Sequence, residues 1–164
     1  MTRATLERNY AMVYRAAEAN LDGMTAGASL ARPEGGGNCA NWILAHLVVV
    51  HNGVMGVLGQ DPVWDDDGLD RVRRGPISGP DEALDWDELR ERFLGSCERC
   101  LAAVRALTDR ELAEEMTDPF GEVTSRAELL TTLAFHQAYH VGQLGLARRV
   151  AGLPGAIRGP DQEG

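Results

Sequence analysis

The chain has 164 residues and a mass of 17.8 kDa, and 44% of its residues are hydrophobic, which is enough to bury one core and excludes a small disulfide-stapled scaffold. Sixteen arginines and no lysine stand against 25 acids, a net charge of −9, so the basic face that nucleic acid or an anionic membrane requires is not available. The longest apolar runs, Ile43 to Ala45 and Leu47 to Val50, are interrupted by His46 and His51 and fall short of the ~20 residues that span a bilayer.

The first residues, Met1 to Tyr10, mix charges of both signs and carry no apolar signal core, so a cytoplasmic protein is expected. A first helix is predicted over about Arg3 to Leu21, with Leu6, Tyr10, Val13, Ala17 and Leu21 on one stripe and Asp22-Gly23 as its stop. Arg32 to Gly37 is a plain loop, and Asn38 is placed to cap a second helix that runs to about Leu58, with Gly59 ending it.

Gln60 to Pro80, including Asp65-Asp66-Asp67, shows no sustained period. It exceeds the roughly 2–8 residues that join neighbouring helices in a bundle, so a crossover from one end to the other is expected. The acidic run lacks the alternate spacing and closing Glu of a calcium loop and reads as solvated. A third helix covers about Glu82 to Leu107. Its apolar positions include Cys97 and Cys100, which read as small buried residues and not as a redox pair, because no strand precedes them. An irregular section follows from Thr108, with one short extended stretch around Glu122 to Thr124. Ser125-Arg-Ala-Glu128 is a capping box for a last helix that ends near Ala151, before Gly152 and Pro154. The expected class is therefore all-α, a four-helix bundle in one domain over residues 1–154, followed by a loosely ordered tail over 155–164.

The chemistry lies in the last helix, whose predicted seam is Leu129, Leu133, His136, His140, Gln143, Ala147 and Val150. Burying two imidazoles and an amide without partners costs about 1–3 kcal/mol each, so something must satisfy them. Residues four apart differ by about 40° and rise about 6 Å, so His136 and His140 can aim at one point, the spacing that helical metal sites use. His46 shares a face with Ile43, Val50 and Val54 on the second helix, and if the two helices are antiparallel all three imidazoles meet at one level. Such a three-histidine set keeps open positions for water or substrate, as catalytic metal sites do. His51, about 140° round from His46, is expected to be structural or solvent-facing. Gln143 is placed to orient a ligand or contact a bound molecule, or else to be a hydrogen-bonded polar core residue. Cys39 points the same way as His46 but sits about 10 Å along the axis, too far to ligate.

Asn41-Trp42-Ile43-Leu44-Ala45-His46-Leu47 and, about ninety residues on, His136-Gln-Ala-Tyr-His140-Val-Gly-Gln143 together resemble the DinB/YfiT-like superfamily of metalloenzymes, over nearly the whole chain. The resemblance implies an up-down-down-up four-helix bundle with its long connection between helices two and three. It implies a divalent metal (zinc, nickel, iron or manganese) held by His46, His136 and His140. It also implies a transferase that uses a low-molecular-weight thiol such as bacillithiol, mycothiol or glutathione on a small-molecule substrate, and pairing into homodimers. Two other readings use the same residues: a non-catalytic module that binds a metal or small ligand in a stress response, and a bundle whose histidines hydrogen-bond one another and hold nothing. Hydrolysis is the nearest enzymatic variant of the first reading.

Overall fold

The computed structural model describes residues 2–65, 67–75, 77 and 79–157. It is mostly helical. Four long helices, α1 (Arg3–Leu21), α2 (Ala40–Val57), α4 (Trp86–Ala106) and α6 (Arg126–Val150), are accompanied by two short ones, α3 (Asp67–Arg74) and α5 (Asp109–Leu112). The strands β1 (Glu115–Thr117) and β2 (Val123–Ser125) form an antiparallel hairpin with Met116 opposite Thr124. Asp66 and the tail from residue 158 onward lie outside the described residues, while Gly155 to Ile157 wall a groove with α1 and α6.

Local chemistry sets most of the boundaries. Ser125 and Glu128 form the reciprocal capping box that starts α6, and Thr108 and Glu111 form a second one at α5, within the section expected to be irregular. Gly59 and Gly152 take φ of +67° and +81°, left-handed values that end α2 and α6 where glycine is favoured. Two helix starts differ from expectation. The N-cap of α2 is Cys39, without a side-chain bond, and α4 begins at Trp86 behind the cap Asp85, which accepts from the Glu88 amide. Glu82 belongs instead to a 3₁₀ turn. The crossover between α2 and α4 is not featureless either, since Leu69 and Val72 of α3 and Ile77 beyond it are buried.

The core is one cluster drawn from all four long helices and from α3. Leu6, Tyr10 and Leu21 of α1 meet Ile43, Leu44 and Leu47 of α2, Leu89 and Phe93 of α4, and Leu130 and Leu144 of α6. By length and mean hydropathy alone α2 could cross a membrane, but 61% of it is buried inside the protein. That is the composition of a helix packed on most of its circumference. Side chains also pin the crossover and the chain ends. Asn41 exchanges two bonds with the Leu84 backbone, Asn52 holds Val63 and Trp64, and the Trp86 indole donates to the Met24 carbonyl. Buried Arg148 donates to the Asn20, Asp22 and Pro154 carbonyls, closing the end of α1.

The deepest line of α6 runs through Leu130, Ala134, Gln137, Val141, Leu144 and Arg148, one residue on from the predicted seam. His136 and His140 therefore stand at the border of the core and not at its centre. Of the two places expected for His51, structural or solvent-facing, the structure has the first, with the side chain fully buried. Its Nδ1 meets Ser96 Oγ on α4 and its Nε2 lies 2.9 Å from Gln137 Oε1, while its ring stacks on Phe93 and meets Tyr14 edge-on. Burial pushes the His51 pKa down from 6.5 to about 4, outweighing the opposing bond to Gln137.

Between these two values the unfolded chain binds a proton that the folded one does not. The stability that neutral His51 contributes is therefore complete above pH 6.5 and is lost as the pH falls toward 4, on the order of 3 kcal/mol in all. Urea unfolding of the metal-free protein at pH 7 and pH 4.5 is expected to show this loss, and His51→Leu to flatten that part of the slope. An unchanged slope in the variant would refute the assignment.

Candidate metal centre

His46 projects from the middle of α2, and His136 and His140 project from one face of α6, a turn apart. The His46 and His136 Nε2 atoms are 3.1 Å apart, and those of His136 and His140 are 3.0 Å apart. Among the described residues these three form the group of histidine, cysteine or acidic side chains with the geometry to hold a metal ion, their ligand atoms all within 4.8 Å of one another. The three histidines that the sequence argument sets at one level thus lie together in the structure. His140 is buried and His46 half-buried, and His136 is the most open of the three.

Two of the rings have separate supports. Gln143 Oε1 accepts from His140 Nδ1–H at 2.9 Å, which leaves the His140 Nε2 lone pair facing the other two rings. The Trp42 indole lies flat on the His46 ring, with centroids 5.0 Å apart and planes 5° from parallel, and its own N–H is fixed on the Gly75 carbonyl at 2.9 Å. Through Trp42 the centre is tied to the chain just after α3. Tyr139 sets its ring edge-on against His140 and is itself largely exposed.

The electrostatics favour free lone pairs. Burial first, and then the neighbouring imidazoles of His140 and His136, lower the His46 pKa to about 4. Burial also lowers that of His140, partly opposed by the bond to Gln143. These two rings are neutral at physiological pH. Neutral imidazole is the form that ligates metal, and the Nε2 atoms of the three rings converge as a donor set would.

The other candidates are set aside by position. Cys39, Cys97 and Cys100 are free and buried, and burial raises the Cys97 and Cys100 thiol pKa values, the latter to about 11, so they act as small apolar residues. Trp86 is a core residue, and half-buried Trp64 carries the Arg92 guanidinium over its ring at 5.5 Å. The sequence reading missed Gln137 and Ser96. A polar residue one step from a seam histidine is the available signal, but the sequence offers it no partner, because nothing in it shows that a structural His51 faces Ser96 and Gln137.

A bundle-like helical protein with a three-histidine centre between two of its helices is the class these observations define. The family model of the DinB superfamily matches residues 9–144, and the chain belongs to that superfamily. The fold is also similar to that of a conserved protein from Enterococcus faecalis seen in a crystal structure, with a TM-score of 0.70 at 14% identity over 92% of this chain and 97% of that one. No curated protein matches the sequence significantly.

In metal-free protein, long-range ¹H–¹⁵N correlation spectra are expected to show neutral His140 as the Nδ1–H tautomer. Gln143→Leu should release it toward Nε2–H. An Nε2–H tautomer in the unaltered protein would contradict the role given to Gln143.

Proposed function

We propose that the protein is a metalloenzyme in which His46, His136 and His140 hold a divalent cation, and which activates a low-molecular-weight thiol, or water, for transfer to a small electrophilic substrate. The convergence of the three Nε2 atoms carries this reading. Ligand bonds of about 2.0–2.1 Å in tetrahedral zinc put neighbouring nitrogens about 3.3 Å apart, and the spacings here are 3.0 and 3.1 Å. An all-imidazole set suits zinc, nickel or iron better than manganese, which prefers carboxylate oxygen.

A bound cation supplies one kind of chemistry here: it lowers the pKa of a thiol or water beside it and so provides a nucleophile at neutral pH. The chain's own residues shape the surroundings. Gln143 holds the His140 ring in the ligating tautomer, and Trp42 closes the His46 side with an apolar face. The substrate approaches from the open side, where His136 and Tyr139 stand.

Membership of the superfamily and the pattern of contacts support an up-down-down-up bundle forming one domain over residues 1–154. Tyr10 bonds to Leu130 and Asn20 to Val141, so α1 and α6 advance together; His51 meets Ser96 and Met55 meets Cys100, so α2 and α4 do likewise. Glu7 pairs with Arg105, which sets α1 against α4. Three free cysteines support a reducing, cytoplasmic setting. The exposed apolar residues Met12, Phe135 and Leu146 support a homodimer through α1 and α6.

Purified, tag-free protein is expected to carry about one divalent metal per chain, lost in His136→Ala/His140→Ala, and to consume a thiol in the presence of an electrophilic aryl halide, with about a hundredfold loss of rate in His140→Ala. Metal without turnover of thiol or hydrolysable ester would leave a binding module. No metal in a folded protein supplied with zinc or nickel would overturn the reading.

A further inference from the structure

Apart from the three histidines of the centre, a connected polar chain crosses the core at His51. Ser96 on α4, His51 on α2 and Gln137 on α6 are each almost completely buried. One arrangement of protons satisfies them in series. The Ser96 hydroxyl donates to His51 Nδ1, His51 Nε2–H donates to Gln137 Oε1, and the Gln137 amide donates to the Leu133 carbonyl at 3.1 Å. This chain bridges three helices, with the aromatic rings of Phe93 and Tyr14 against the His51 ring.

Its position relative to the ligands is what matters. Gln137 is the residue next to His136, and His51 lies five residues beyond His46 on the same helix. The His51–Gln137 bond therefore joins the two ligand-bearing helices little more than a turn from the point where their imidazoles meet. Apolar side chains pack two helices together but tolerate small slides and rotations, whereas one buried directional bond selects a single register. A slide of 1 Å between α2 and α6 would separate Nε2 atoms that now lie 3.1 Å apart.

We infer that His51 and Gln137 are positioning residues for the metal centre: their buried hydrogen bond sets the register of α2 against α6 and so the spacing of His46 from His136. The inference rests on the metal-binding reading for its consequence, but the register itself is a property of the metal-free protein.

The test is His51→Leu/Gln137→Leu, made together so that neither partner is left as a buried orphan. Ser96 keeps an acceptor, because its Oγ lies 2.6 Å from the Phe93 carbonyl. The double variant is expected to keep its thermal midpoint within a few degrees while zinc affinity, measured by competition with a chromophoric chelator, falls by about tenfold or more. His51→Gln, which can still accept from Ser96 and donate to Gln137, should recover most of that affinity. A double variant that folds and binds zinc as the parent does would overturn the proposal. If the parent binds no zinc, the metal-binding reading fails and the register is decided by the crystal structure of the metal-free double variant. Retention of the 3.1 Å spacing there overturns the proposal, and a shift of α2 along α6 upholds it. Should the double variant not fold, Gln137→Asn, one methylene too short to span the gap, serves in its place with the same outcomes.

Discussion

Three imidazole nitrogens brought within about 3 Å of one another in a partly desolvated crevice form the constraint on which the rest of this structure turns. Neutral imidazoles facing each other through Nε2 can share few protons, and the low pKa of His46 and His140 makes a charged, doubly protonated ring unfavourable there. Such an arrangement is one that hydrophobic packing alone does not select. It persists because α2 and α6 are held by extensive apolar contact on either side of it, and because Trp42 supports the His46 ring, Gln143 supports the His140 ring and the His51–Gln137 bond joins the two helices nearby.

The fold serves that crevice by unequal burial. α2 is embedded along most of its length, so His46 is fixed from behind, while α6 leaves one side open and places its two histidines at the edge of the core. A donor set wholly inside the bundle would be closed to substrate, and one on the surface would keep water on every ring and lose the pKa shifts. The border position gives both access and desolvation. The crossover between α2 and α4 adds to this through α3 and the bond from Trp42 to Gly75, which attach the intervening chain to the rim of the centre.

Much of this was legible in the sequence because it is periodic. The stripe Leu89, Phe93, Cys97, Cys100, Val104 and Leu107 is buried as its spacing predicts, and Ser125 with Glu128 marks the start of α6 to the residue. The two-helix histidine pattern identified all three members of the cluster, since i, i+4 spacing on one helix and a lone histidine on an apolar face of another leave little freedom in where they point. The pattern failed where tertiary contacts override local period. α3 is a short helix held by Leu69 and Val72 against α2, and its eight residues give too few turns for a period to emerge. For His51 the choice between a structural and a solvent-facing place stays open, because an angle measured from His46 says only that the two do not share a centre. That the interior on its side contained Ser96 and Gln137 depends on two other helices, and Gln137 lay one residue off the seam assigned to α6.

The central claim is that His46, His136 and His140 hold a divalent metal through Nε2. Diffraction from crystals grown with zinc, recorded on both sides of the zinc absorption edge, addresses it most directly. The account predicts an anomalous peak about 2.0–2.1 Å from each of the three Nε2 atoms, with Gln143 still bonded to His140 Nδ1. A peak coordinated elsewhere on the chain, or well-ordered imidazoles at these three positions with no peak between them, would contradict it.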